Sequence, residues 1–201
     1  MTEYSNPSQL ASLITSRICH DLANPVGAIH NGLELLELSG FPTTPELELV
    51  LASVKNAQSK ISFFRVAFGP SDRSAMSLNE IATILKQKSD DGKTRFDWAT
   101  KNTPDRPVLK TLFLLCLCIE TSLPRGGDVR IRQVDLGWVL DTTAERLDAK
   151  KVLWNHAQGV EADTVDASEI HFELLRQTLQ AQNYSLEWKF GEETLRVTLM
   201  V

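Results

Sequence analysis

A histidine followed by an aspartate, His20–Asp21, opens the stretch HDLANPVGAIHNG at residues 20–32. A neutral imidazole is a nucleophile, and a neighbouring carboxylate can orient the ring or take its proton as it attacks an electrophile. The same stretch holds Pro25 and Gly27, two residues that weaken a helix interior, although its apolar residues recur with helical spacing. Pro25 has no N–H to give the carbonyl of Asp21, and its ring crowds that carbonyl, which predicts a kink one turn past the histidine. Gly27 removes a side chain one to two turns beyond His20, where another molecule could approach closely.

The element that carries these residues reads as one long helix over residues 7 to about 38. Leu10, Ile14, Ile18, Leu22, Val26, Ile29, Leu33 and Leu36 follow at intervals of three or four, one apolar stripe on a helix. With Ile14 at zero on a wheel, the stripe runs from about −40° to 120° and His20 falls near 240°. Arg17, Asn24, Gly27 and Asn31 lie on His20's side, so the histidine is expected to face solvent among them. Arg17 and Asn24 put a cation and an amide beside the histidine, which also fits a simply solvated face. His30 borders the stripe and reads as structural.

LSGFPTT breaks the helix, and a second one opens with Thr43 as cap, Pro45 in the first turn and Glu46 completing a capping box. Leu47, Leu51, Val54, Ile61, Phe64 and Phe68 carry its stripe to the stop at Gly69–Pro70. Two long antiparallel helices leave much apolar surface in water, so either the rest of the chain or a second copy must cover them. The length of the hairpin favours a homodimer, two hairpins making one four-helix bundle.

SDRSAM reads as a linker, which sets the expected domains at 1–72 and 76–201. Ser77 and Glu80 form a capping box for LNEIATILKQK. RFDWAT then reads as a strand, RPVLKTLFLLCLCIETSL as a buried helix ended by PRGG, and DVRIRQV with GWVLDTT as a strand pair. AERLDAKKVLW and SEIHFELLRQTLQAQ read as helices, and YSLEWKF with ETLRVTLMV as a hairpin around Gly191. The expected class is α+β, helices on a mainly antiparallel sheet.

Composition narrows the partners. In 201 residues with 42% hydrophobic content, a net charge of −5 argues against broad nucleic-acid or anionic-membrane binding. The first residues lack the pattern of a signal peptide and LFLLCLCI is too short to cross a bilayer, so the expected location is the cytoplasm. Cys116 and Cys118 read as core thiols, Cys19 lacks further ligands at metal spacing, and no metal is assigned. His156 and His171 show no nucleophile or carboxylate partner, and the tryptophans at 138, 154 and 188 read as core or near-core residues.

HDLANPVGAI resembles the H-box of bacterial sensor histidine kinases, in which a histidine, an acidic residue, leucine, a polar pair and a proline follow in order. That resemblance implies phosphorylation of His20, with Asp21 at the acidic position and Asn24 at the polar position before proline; the family also builds dimeric helical-hairpin bundles. CIETSLPRGGDVRI resembles the turn after the asparagine-bearing helix of the kinases' ATP-binding domain, an α/β sandwich. Here Cys118 stands at the asparagine, and DTTAE keeps Asp141 without the two glycines that follow it in the kinases. DTVDASEIHFELL takes the place of a glycine-rich phosphate loop.

A phosphorylatable histidine on a hairpin, joined to a degenerate kinase-like domain, is similar to the histidine phosphotransferases of phosphorelays. The resemblance implies a carrier that takes phosphate from the receiver domain of a hybrid kinase and passes it to response regulators without ATP. His20 and Asp21 would be its catalytic residues, and Arg17, Asn24, Gly27 and Asn31 its docking or phosphate contacts. It implies no cofactor of its own, with Mg²⁺ supplied by the receiver. An ATP-dependent kinase with a divergent site and a non-catalytic dimeric adaptor are the competing readings.

Overall fold

A computed structural model describes residues 7–70, 75–160 and 165–201. The chain divides into two units, Met1–Pro70 and Ser71–Val201; residues 71–74 of the expected linker lie outside the described ones.

The first unit is a helical hairpin, α1 (Pro7–Leu38) and α2 (Pro45–Ala67). α1 holds Pro25 in its interior and continues past it to Leu38. It ends at Gly40, whose φ of +76° is a conformation that glycine adopts without a Cβ penalty. The Gly40 and Phe41 amides turn back to the carbonyls of Glu37 and Leu36, which closes the last turn. The cap of α2 is Thr44, not the expected Thr43: its side chain accepts from the Leu47 amide, with Pro45 as first helical residue. The reason is local. A residue before proline is driven out of the helical region, so Thr44 is extended at φ −100°, ψ 158° and must itself be the cap. The expected capping box with Glu46 is therefore absent, because Glu46 sits one position too early.

Burial on α1 separates a buried line of mostly small residues from an exposed apolar line. Ser12, Ser16, Cys19, Ala23, Val26, His30 and Leu33 are buried or half-buried, and Ser12 Oγ donates to the Phe68 carbonyl at 2.9 Å, so this line faces the α2 end of the hairpin. Leu10, Ile14, Ile18, Leu22, Ile29 and Leu36 remain exposed, Ile29 by 51%. The two lines are centred about 120° apart around the helix. The expected stripe is thus mostly a free apolar face.

The second unit runs α3 (Leu78–Asp91), β1 (Thr94–Trp98), α4 (Arg106–Thr121), β2 (Gly127–Val134), β3 (Gly137–Thr143), α5 (Lys151–Gln158), a 3-10 turn at Ala167–Glu169, α6 (Ile170–Gln182), β4 (Ser185–Phe190) and β5 (Thr194–Met200). Ser77 and Glu80 make the reciprocal capping box that opens α3. The sheet order is β1-β2-β3-β5-β4, and the β1–β2 pair is parallel, the others antiparallel. α4 supplies the centre of the core, with Leu112 to Cys116 all fully buried. On β2 and β5 burial alternates, with Val129, Ile131, Leu195, Val197 and Leu199 buried and Asp128, Arg130 and Arg196 exposed, while on β3 Gly137 to Leu140 are all buried. Gly137 has φ +147°, and a Cβ there would run into the Leu199 carbonyl of β5. It serves close strand approach as well as the turn.

The helix expected over AERLDAKKVLW starts only at Lys151. Residues 144–150 form a connection pinned by the Asp148 amide to the Ser122 carbonyl at 2.9 Å. Lys150, left-handed at φ 44°, then sets the entry to α5.

Candidate functional site

His20 stands on α1 with 66% of its side chain exposed, as the wheel predicts. Asp21 meets its Nδ1 through Oδ1 at 3.4 Å, a long contact. The other carboxylate oxygen, Oδ2, accepts from Arg17 Nε at 2.8 Å. Of the six expected site residues, the structure therefore brings three together, His20, Asp21 and Arg17. Asn24 and Asn31 are exposed on the same side of α1 and Gly27 is half-buried between them. A Cβ on Gly27 would meet nothing within 4 Å, so packing within the chain does not require glycine there.

The arrangement has a chemical consequence. A neutral imidazole carries one N–H and one lone pair. If Nδ1 donates to the carboxylate, the lone pair falls on Nε2. This is the state in which an exposed histidine attacks an electrophile.

In the second unit the positions that the sequence matched to the kinases' ATP-binding motifs are Cys118 and Asp141. Cys118 is fully buried in α4, and burial, with the nearby Cys116, pushes its thiol well above the ordinary value. Both core thiols match the expectation for this run. Asp141 lies on the exposed side of the sheet, opposite Arg130 on β2 and Arg196 on β5. Its Oδ1 accepts from Arg196 at 2.6 Å and its Oδ2 from Arg132 at 2.9 Å. Burial alone would raise its carboxyl, but the hydrogen bonds from the two arginines hold it below the usual range.

Two histidines assigned no partner do have one. His156 Nε2 lies 2.6 Å from Glu173 Oε2, so the expectation that it lacks a carboxylate is corrected. Glu173 also accepts from Arg176 and Gln177, and these bonds, that from Arg176 foremost, hold it down to about 2 despite burial. His171 Nε2 lies 2.9 Å from Thr121 Oγ1, and that hydroxyl is 3.1 Å from the Leu117 carbonyl. A carbonyl only accepts, so the single hydroxyl proton goes to Leu117 and His171 donates through Nε2. Burial lowers His171 to about 4. These partners come from elements 17 and 50 residues apart, and no local pattern announces them.

Fold and site together define a class. The family model of the histidine phosphotransferase C-terminal domain matches residues 78–194, from the start of α3 to the start of β5, and the chain belongs to that family. Within it, the chain is 31% identical over 170 residues to the protein phosphotransferase ChpT of Brucella abortus (strain 2308), a match covering 80% of each sequence. It is a ChpT-like histidine phosphotransferase. A solved bacterial phosphotransferase shares the fold with a TM-score of 0.69 at 23% identity, over 96% of this chain and 97% of that one.

Proposed function

We propose that His20 carries the phosphoryl group. The supporting observation is an exposed imidazole whose Nδ1 meets an aspartate, set on a helical hairpin in a histidine phosphotransferase. Nε2 attacks the phosphorus of an aspartyl phosphate on a receiver domain, an N–P bond forms, and the P–O bond electrons leave with the receiver's carboxylate. The phosphorylated ring keeps its Nδ1 proton beside Asp21, which stabilises the imidazolium. The reverse reaction loads a response regulator. Transfer of this kind is mostly positioning and charge neutralisation, and we assign the Mg²⁺ it needs to the receiver's acidic pocket.

ATP has no part in this reading. Asp141 is spent on two arginines on the exposed side of the sheet, and Cys118 is sealed in the core. We further propose that the free apolar face of α1 is covered by a second copy. Two packing lines about 120° apart, one already buried and one apolar and exposed, suit a helix that meets two neighbours in a four-helix bundle, and one hairpin supplies only one neighbour.

The test mixes the full chain with labelled ATP, and separately with a labelled phospho-receiver. Label from the receiver alone, lost in His20→Gln with the fold unchanged, supports the carrier. Label from ATP alone would revive the kinase, and no label from either would leave an adaptor. A His20→Gln chain that still takes phosphate from the receiver would overturn the assignment.

A further inference from the structure

Arg17 and Asp21 are one helical turn apart, and an exposed ion pair at this spacing ordinarily contributes a few tenths of a kcal/mol. Helix stability does not account for this one. A cation N-terminal to its anion is the weaker orientation, since it opposes the helix dipole. Both side chains are largely exposed, Arg17 by 76%. What distinguishes the pair is that Asp21 uses both oxygens, Oδ2 on Arg17 at 2.8 Å and Oδ1 toward His20 Nδ1 at 3.4 Å.

A carboxylate on an exposed helix face turns freely about its side-chain bonds. Fixing one of its oxygens fixes the direction of the other. Resting on the reading of His20 as phosphate carrier, we propose that Arg17 is a positioning residue of the transfer: by holding Asp21 it keeps the Nδ1 proton in place and so directs phosphate to Nε2. Arg17 acts through Asp21 and touches no reacting atom. This differs from the docking or phosphate contact expected of it from sequence. The guanidinium is already committed to a carboxylate, and a planar donor set suits that task.

A positioning role separates three quantities that a docking role or a structural one would move together. Thermal stability should be unchanged in Arg17→Met, because the pair is exposed. Receiver affinity should also be unchanged. The tautomer of His20, read from its imidazole ¹⁵N shifts in the full unphosphorylated chain, should shift from Nδ1–H toward a mixture. The rate of phosphate uptake at saturating phospho-receiver should fall about tenfold or more, the scale of a misaligned reacting group.

Arg17→Lys, which keeps a cation within reach of Asp21, should recover much of that rate. In an Asp21→Asn background Arg17→Met should cost nothing further, since the group it holds is already changed. An unaltered ¹⁵N pattern in Arg17→Met overturns the proposal. So does a rate loss of the same size in the Asp21→Asn background, or a loss confined to receiver affinity. Failure of the carrier reading shows separately, as uptake by His20→Gln, and leaves the tautomer measurement intact.

Discussion

Acid should destabilise the second unit through His171. The unfolded chain takes a proton on this histidine near its ordinary 6.5, whereas burial holds the folded value to about 4. The folded state thus binds fewer protons between those values, and stability falls as pH drops through 6.5, with the loss complete below about 4. The fall from 6.5 to about 4 amounts to about 3 kcal/mol, of which about 2 kcal/mol is already lost at pH 5. The four tryptophans, at 98, 138, 154 and 188, all lie in the second unit, so their fluorescence follows that unit in urea. For a typical urea slope of about 2 kcal/mol per M, the midpoint should drop by about 1 M between pH 7.5 and pH 5. His171→Gln keeps an N–H donor for Thr121 without a titrating group. It should lose about 1 M less than the native chain over the same range. Subtracting the two curves cancels every other histidine. Parallel loss in the two proteins would refute the argument from burial.

If a second copy covers the free face of α1 as proposed, Ile29→Asp should prevent that association and leave the hairpin helical by circular dichroism, since Ile29 is exposed in one chain. Leu51→Asp should instead unfold the hairpin, because Leu51 is buried within the chain at 8%, and sedimentation with circular dichroism separates the two results. Gly137→Ala should cost about 2 kcal/mol or more in urea denaturation, from a strained backbone and a clash with the Leu199 carbonyl. Calorimetry with millimolar ATP should give no saturable heat, and micromolar binding would contradict the placement of Asp141 and Cys118.

What sequence made legible here was whatever rests on near neighbours in the chain. Ser77 and Glu80 are three residues apart and form the box their types imply. His20 faces solvent because helical periodicity alone decides it. Thr43 failed as a cap because the expectation weighed its side chain and not the proline two residues on. AERLDAKK has helical composition, but a hydrogen bond to Ser122, from another element, pins it as a connection. Burial on α1 separated two lines of residues that a single wheel merges, since small residues such as Ser12, Cys19 and Ala23 make the buried one. Asp141 matches a family motif by position, yet strand alternation and two cross-strand arginines decide where its carboxylate points. His156 found Glu173, and His171 found Thr121, through tertiary packing alone.

The buried line on α1 has a consequence for precision. Cys19 immediately precedes the histidine and is buried at 5%, so His20 cannot swing around the helix axis without dragging a packed residue out of its seat. The side-chain surface lies about 5–6 Å from the axis, so a 30° roll of α1 would carry the imidazole about 3 Å. That is the whole approach distance of a reacting pair. The hairpin therefore acts as a detent that holds His20 at one azimuth, and on the proposed reading a receiver domain would meet it already aimed.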